Sequence, residues 1–249
     1  MSNLHLTRAM FSRALRLSGA AALLLPLIGL PAGAQPVLKP ADMARRVAPC
    51  MACHGEQGRA APDGYYPRIA GKPAGYLYNQ LVNFRDGRRQ QYPLMVYAVQ
   101  HLSDEYLMAM AEFFSAQDLP YAPPQPAPAP RSTLERGRQL ALQGDPGRKI
   151  PSCAACHGER LTGVAPAVPG LLGLPRDYIA GQFGSWRNGA RSAHAPDCMA
   201  QIAHQMTPED VSAAAIWLAA QPVPADAKPA TSFPAPLPLA CGSVGQQGG

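Results

Sequence analysis

One pentapeptide, written twice, constrains this chain more than anything else in it. Cys50-Met51-Ala52-Cys53-His54 and Cys153-Ala154-Ala155-Cys156-His157 both spell C-x-x-C-H, and each runs straight into Gly-Glu (Gly55-Glu56, Gly158-Glu159). On a short helix, residues four apart share a face, so the first cysteine and the histidine of each motif are presented together. Two thiols and an imidazole in this order form the attachment pattern of c-type haem, in which the sulfurs bond to the porphyrin vinyl groups and the imidazole ligates iron. The chain therefore reads as carrying two covalently bound haem c groups, on Cys50, Cys53 and His54 and on Cys153, Cys156 and His157. A bare C-x-x-C would point instead to a thioredoxin-like redox pair, and two pairs could build a four-thiolate zinc site. Zinc is disfavoured because each pair has its own adjacent histidine and the pairs stand 103 residues apart, where zinc modules keep them within tens of residues.

An export signal at the N-terminus agrees with covalent haem. Arg8, Arg13 and Arg16 form a basic region, Leu17 to Leu30 a short apolar run, and Ala32-Gly33-Ala34 a cleavage site, so the mature chain is expected to start at Gln35 in the periplasm of a Gram-negative cell. Pro26 and Gly29 interrupt the run, which is no firm membrane span; retention as an uncleaved anchor is the alternative. The signal takes three of the 22 Lys and Arg and no acid, leaving 19 basic and 16 acidic side chains. That excess is small and unclustered, and haem carboxylates reduce it further, so the basic pI gives no case for a nucleic acid partner.

The second half repeats the first. Pro67-Arg68-Ile69-Ala70-Gly71 matches Pro166-Ala167-Val168-Pro169-Gly170, and Tyr76 to Arg85 matches Tyr178 to Arg187, each a helix stopped by a glycine two residues on (Gly87, Gly189). Each half closes with a helix. Ser103 caps Asp104 to Ala116, with an apolar stripe at Leu107, Met110, Ala111 and Phe114; Thr207 caps the second, with Pro208 at its first position and Val211, Ala214, Ala215 and Leu218 in register. A helix also precedes each motif, over Ala41 to Ala48 and over Thr133 to Leu142, where Ser132-x-x-Glu135 resembles a capping box. No alternating strand pattern exceeds a few residues, so the fold class is all-α. Residues 120–130 hold six prolines in eleven and read as a polyproline strap of on the order of 30 Å. The expected organisation is a signal peptide (1–34), two small cytochrome c domains (35–119 and 131–220) joined by that linker, and a Pro-rich tail (221–249), irregular and partly mobile.

These stretches resemble the dihaem class I cytochromes c of the cytochrome c4 family. The resemblance rests on the two C-x-x-C-H-G motifs, Pro-Arg-Ile-Ala-Gly with the Gln80-Leu81 to Arg89 segment, Met95 before Leu-Ser-Asp-Glu, and Gly137-Arg138-Gln139-Leu140 leading to Ile150-Pro151-Ser152-Cys153. It implies two helical cytochrome domains, iron held by histidine and methionine, and electron shuttling in the periplasm towards a terminal oxidase. His54 and Met95 would ligate the first iron, His157 and Met199 the second. The family pattern also makes Pro67 and Pro166 candidates to offer a backbone carbonyl to the other ring nitrogen of each histidine.

Physical chemistry favours the same methionines. A distal ligand must approach from the opposite porphyrin face, hence from a loop well downstream, and a thioether raises the potential into a carrier's range. Met95 and Met199 stand 45 and 46 residues after the first cysteine of their motifs; the competing role of each is core filling. His101, His194 and His204 occupy no matching positions in the two halves and read as surface or packing residues, with His194 the one alternative ligand. Cys198 and Cys241 are left over. In an oxidising compartment they are expected to form a disulfide, the alternative being Cys198 thiolate as an axial ligand.

Two six-coordinate irons leave no open site, so the expected function is one-electron transfer between a redox protein donor and a redox protein acceptor, possible partners being a terminal oxidase or a dehydrogenase. The alternatives are a cytochrome subunit of a periplasmic or membrane dehydrogenase, and a dihaem enzyme of the thiosulfate dehydrogenase or peroxidase type, for which Cys198 is the hint.

Overall fold

Two short helices, α1 (Pro40–Arg46) and α2 (Ala48–His54), open the computed structural model, which describes residues 40–61 and 64–245. The expected signal, its cleavage site and the last four residues lie outside that range. The expected helix over Ala41 to Ala48 breaks at Val47, because Pro49 has no N–H to donate back to Arg45. The first half continues with α3 (Ala74–Arg85), α4 (Pro93–Val99) and α5 (Asp104–Ser115).

The second half repeats this order with α6 (Arg131–Leu142), α7 (Cys153–His157), α8 (Arg176–Arg187), α9 (Cys198–Gln205) and α10 (Pro208–Ala219). It adds a two-residue antiparallel pair, β1 (Gly163–Val164) with β2 (Val168–Pro169), in which Val164 faces Val168. A last turn, α11 (Gly242–Gly245), sits in the tail. Helices α3 and α8 stop as expected, with Gly87 and Gly189 both at a φ of 76°.

The closing helices bury their expected stripes. Ser103 accepts a hydrogen bond from Tyr106 N, and Leu107, Met110, Ala111 and Phe114 pack inward, Met110 to Phe114 against Leu77, Met43 and Val47. Thr207 and Asp210 form a full capping box at the start of α10. Helix α6 crosses α10 so closely that a Cβ on Gly137 would lie 2.2 Å from the Ala213 carbonyl oxygen. The expected capping box at Ser132 is absent: α6 begins at Arg131, and the Pro130 carbonyl takes the N–H groups of Thr133 and Leu134 (3.0 and 3.2 Å), leaving Ser132 inside the first turn.

The linker and tail are irregular but fastened. Gln125 N donates to Ala219 O (2.9 Å), and Arg68 lies over the Tyr121 ring while donating to Leu119 O and Pro120 O. The tail was expected to be partly mobile. Instead Ala230 exchanges hydrogen bonds with Gly163 and Ala165, Asp226 pairs with Arg160, and Cys241 is disulfide-bonded to Cys198. The described residues form one compact unit, in which Gln90 N donates to Ala190 O (2.8 Å) and Ser192 N to Arg88 O (2.6 Å) across the halves.

Candidate haem sites

Each motif ends its helix on a buried histidine. His54 is 7% exposed and its Nδ1 donates to Pro67 O at 2.9 Å; His157 is 8% exposed and its Nδ1 donates to Pro169 O at 2.8 Å. Pro67 was expected, Pro169 was not. The β1–β2 pairing puts Pro166 in the turn between the strands, where its carbonyl accepts from Tyr76 N of the first half, while Pro169 at the strand end faces the imidazole. Burial pushes both imidazoles below the ordinary histidine value, with the carbonyl bonds opposing it and, at His157, the Lys72 charge adding to it. Both rings are thus neutral with Nδ1–H committed, which leaves the Nε2 lone pair to ligate.

None of the four motif cysteines is in a disulfide, so neither C-x-x-C is an oxidised redox pair. Burial pushes the Cys153 thiol up to about 11 and raises Cys50 and Cys156 as well. All four, with both histidines, line one continuous cavity of about 620 Å³ whose wall is drawn from both halves. Met95 and Met199 line the same cavity. Both sit on short helices rather than in the expected loops: Pro93 starts α4, and the Asp197 side chain caps α9 by accepting from Ala200 N.

His194 reaches the cavity wall, 3.5 Å from an Arg88 nitrogen, while His101 and His204 are exposed. Cys198 is bonded to Cys241, and a disulfide sulfur is no thiolate; that closes the alternative of Cys198 as an axial ligand. The tail adds Leu237, Leu239 and Val244 to the wall, and Asn79 of α3 donates to Ser243 O at 3.1 Å. Sequence reasoning passed over one further group. Arg89, Arg191 and Lys72 also line this cavity, each no more than 6% exposed, and the repeat marks the arginines at matched positions two residues after the stopping glycines.

A largely apolar cavity, neutral imidazoles aimed by carbonyls and unpaired motif thiols fit two c-type haems. The buried Nε of Arg89, which has no hydrogen-bond partner, fits an anionic group in the same space. No family model matches the chain. It is 39% identical over 176 residues to a thiosulfate dehydrogenase electron acceptor of Thiomonas intermedia, covering 71% of this chain and 80% of that one. The solved structure of reduced recombinant cytochrome c4 from Pseudomonas stutzeri superimposes with a TM-score of 0.63 at 25% identity, over 74% of this chain and 99% of that one.

The chain belongs to the cytochrome c4 family. It is an all-α dihaem c-type cytochrome, two tandem small cytochrome c domains joined by a Pro-rich linker, with two covalently bound haem c groups as its cofactors. Electron transfer is its general role. A thiosulfate dehydrogenase (TsdBA) structure from Marichromatium purpuratum is also similar, with a TM-score of 0.62 and 28% identity over 70% of this chain. This chain spans only 36% of that structure's length.

Proposed function

We propose that this cytochrome c4 relative is an exported carrier that takes single electrons from a donor of the thiosulfate dehydrogenase kind and passes them to a terminal acceptor such as an oxidase. The observation that carries the proposal is the cavity lined by both C-x-x-C-H motifs and both methionines, one continuous and largely apolar space that supports a reading with two redox sites. In this reading His54 and Met95 hold one iron, His157 and Met199 the other. The cofactor supplies one-electron chemistry. The chain would bind it, fix the imidazole tautomers and keep water away, and with His54, Met95, His157 and Met199 all committed to holding it, the chain would perform no catalysis itself.

Beside Met95, Leu94 and Tyr97 are 72% and 76% exposed, an apolar rim suited to brief docking of a redox partner. The domain limits 35–119 and 131–220, with linker 120–130 and tail 221–249, belong to the same reading and are supported by α5 ending at Ser115 and α6 starting at Arg131. Periplasmic placement rests on the expected signal; among the described residues no helix is long and apolar enough to cross a membrane. The likeness to part of a longer thiosulfate dehydrogenase favours one second reading, a stable cytochrome subunit of such an enzyme.

Stopped-flow mixing of the oxidised holoprotein tests this. Thiosulfate alone should leave it oxidised, and thiosulfate with a catalytic amount of thiosulfate dehydrogenase should reduce both haems. Reduction by thiosulfate alone would make the chain an enzyme, no reduction in either case would remove the donor, and co-elution of the two proteins would favour the subunit reading.

A further inference from the structure

Four large apolar side chains stand exposed among the described residues: Tyr65 (57%), Leu94 (72%), Tyr97 (76%) and Leu142 (38%). The first three belong to one place. Leu94 and Tyr97 lie on α4, and the Tyr65 ring packs edge-on against Tyr92, the residue before that helix, with 5.7 Å between centroids. Tyr65 and Leu94 also line the cavity, so this face reaches from solvent to the wall beside Met95. Residues 90–100 carry no charged side chain. Surface charges next to them neutralise one another, Arg85 pairing with Asp86 and Asp104, and Arg88 with Asp86. An apolar patch of this kind marks a contact surface.

The repeat offers a comparison within the same chain. Met95 matches Met199, which puts Cys198 at the position of Leu94 and Gln201 at that of Tyr97. Cys198 is bonded to Cys241, and Gln201 is polar and exposed. The tail meets the start of α9, where Gly242 N donates to Pro196 O at 2.9 Å and a Cβ on Gly242 would lie 2.2 Å from the Ala195 carbonyl oxygen. Leu237, Leu239 and Val244 line the cavity from that side. The methionine-bearing helix thus shows an apolar face to solvent in the first half and is fastened to the chain's own tail in the second.

We propose that the face of Tyr65, Leu94 and Tyr97 is the one docking port for redox proteins, used in turn by donor and acceptor, and that electrons enter and leave the second half only through the first. The proposal rests on the carrier reading but not on which protein donates. Its occupant is a redox protein presenting an apolar, uncharged patch of its own, because a face without net charge exerts no long-range pull on a charged one. Three side chains make a small contact, suited to brief encounters rather than to a stable subunit interface. Each visit moves one electron: the donor loses it as a ferric site in the chain becomes ferrous, and the acceptor gains it as that site returns to ferric. Donor and acceptor exclude one another at a shared port, so the second half stores an electron between visits.

The test uses the holoprotein and its Leu94→Glu, Tyr97→Glu and Gln201→Glu variants, Gln201 being the exposed counterpart of Tyr97 on α9. Reduction by thiosulfate dehydrogenase with thiosulfate is followed by stopped flow, and electron self-exchange between reduced and oxidised copies by NMR line broadening. Hydroquinone serves as a small uncharged reductant for reference. Leu94→Glu and Tyr97→Glu should slow both protein reactions roughly tenfold, with the two haems losing the same factor, and leave the hydroquinone rate unchanged. Gln201→Glu should slow neither. The rate of the unaltered protein with thiosulfate dehydrogenase should fall less than roughly twofold as salt is raised. Equal slowing by Gln201→Glu, or slowing confined to one haem, overturns the single port. A steep fall with salt overturns the neutral partner. If thiosulfate dehydrogenase reduces none of the proteins, that donor is removed and self-exchange decides alone: unslowed exchange in Leu94→Glu and Tyr97→Glu overturns the port.

Discussion

The residue scale is set by two imidazoles that reach the same state by different backbone routes. His54 finds its carbonyl 13 residues on and His157 finds its own 12 residues on, at the end of a strand pair with no counterpart among the described residues of the first half. Both rings are left neutral with one nitrogen committed, so the opposite side of each site decides the potential. Met95→Ala and Met199→Ala should each abolish half of the near-infrared band of methionine-to-ferric-iron coordination and lower one midpoint potential, with two haems still attached. A full band in either variant would remove that methionine as a ligand. The motif cysteines and both histidines were legible in the sequence because covalent spacing fixes them, and Pro67 was legible only through the family pattern. Pro169 was not, because which carbonyl faces a ring depends on how a hairpin turns. Arg89 and Arg191 were missed for a different reason: an arginine is read as surface unless an acid is seen beside it, and their partners here include two neutral glutamines.

Among the elements, Asp210 does more than cap α10. Its carboxylate accepts from Arg136 on α6 (2.8 Å) and from Arg148 in the turn before the second motif (2.5 Å), while Arg148 also donates to Gln205 O. One 4% exposed carboxylate thus ties α6, α10 and the approach to Cys153 together. Burial raises its pKa, but the guanidinium bonds outweigh that and hold it down to about 2. A carboxyl held below its unfolded value stabilises the fold at any pH above that value, about 4, and the benefit fades as pH falls from there towards 2. The shift corresponds to about 2 kcal/mol. Asp210→Asn should therefore lower the unfolding free energy at neutral pH by about 2 to 4 kcal/mol, and the gap to the unaltered protein should narrow below pH 4 in acid-titrated denaturation curves. A gap that stays constant down to pH 2 would show that the charge is not what Asp210 contributes. The cap at Thr207 could be read in advance because Pro208 and the acidic turn follow it directly. The false cap at Ser132 shows the limit: a carbonyl from the linker reached the helix start first, and no side-chain pattern encodes that.

For the whole molecule, the tail and the junction make a two-domain chain into one body. The duplication is plain in the sequence, yet its halves could have hung apart on a polyproline spacer. Arg68 on Tyr121 and Gln125 on Ala219 hold that spacer down, and the backbone bonds of Gln90 to Ala190 and Ser192 to Arg88 join the halves directly. Across the junction the tail closes the cavity: Leu237, Leu239 and Val244 face into it, Asn79 of the first half holds Ser243, and the Cys198–Cys241 bond anchors the end beside Met199. Closing a loop of separation 43 contributes about 4 kcal/mol in the chain-entropy model. Cys241→Ser with Cys198→Ser should lower the unfolding free energy by about that amount and speed reduction by a small hydrophilic reductant. The haem of the second half should respond more, because its methionine lies next to the released cysteine. An unchanged stability with faster reduction would mean that the contacts at Gly163, Asp226 and Asn79 hold the tail and the disulfide only seals its end. Unchanged reduction would mean that the tail does not guard the cavity at all, and that the apolar wall of the two halves excludes water unaided.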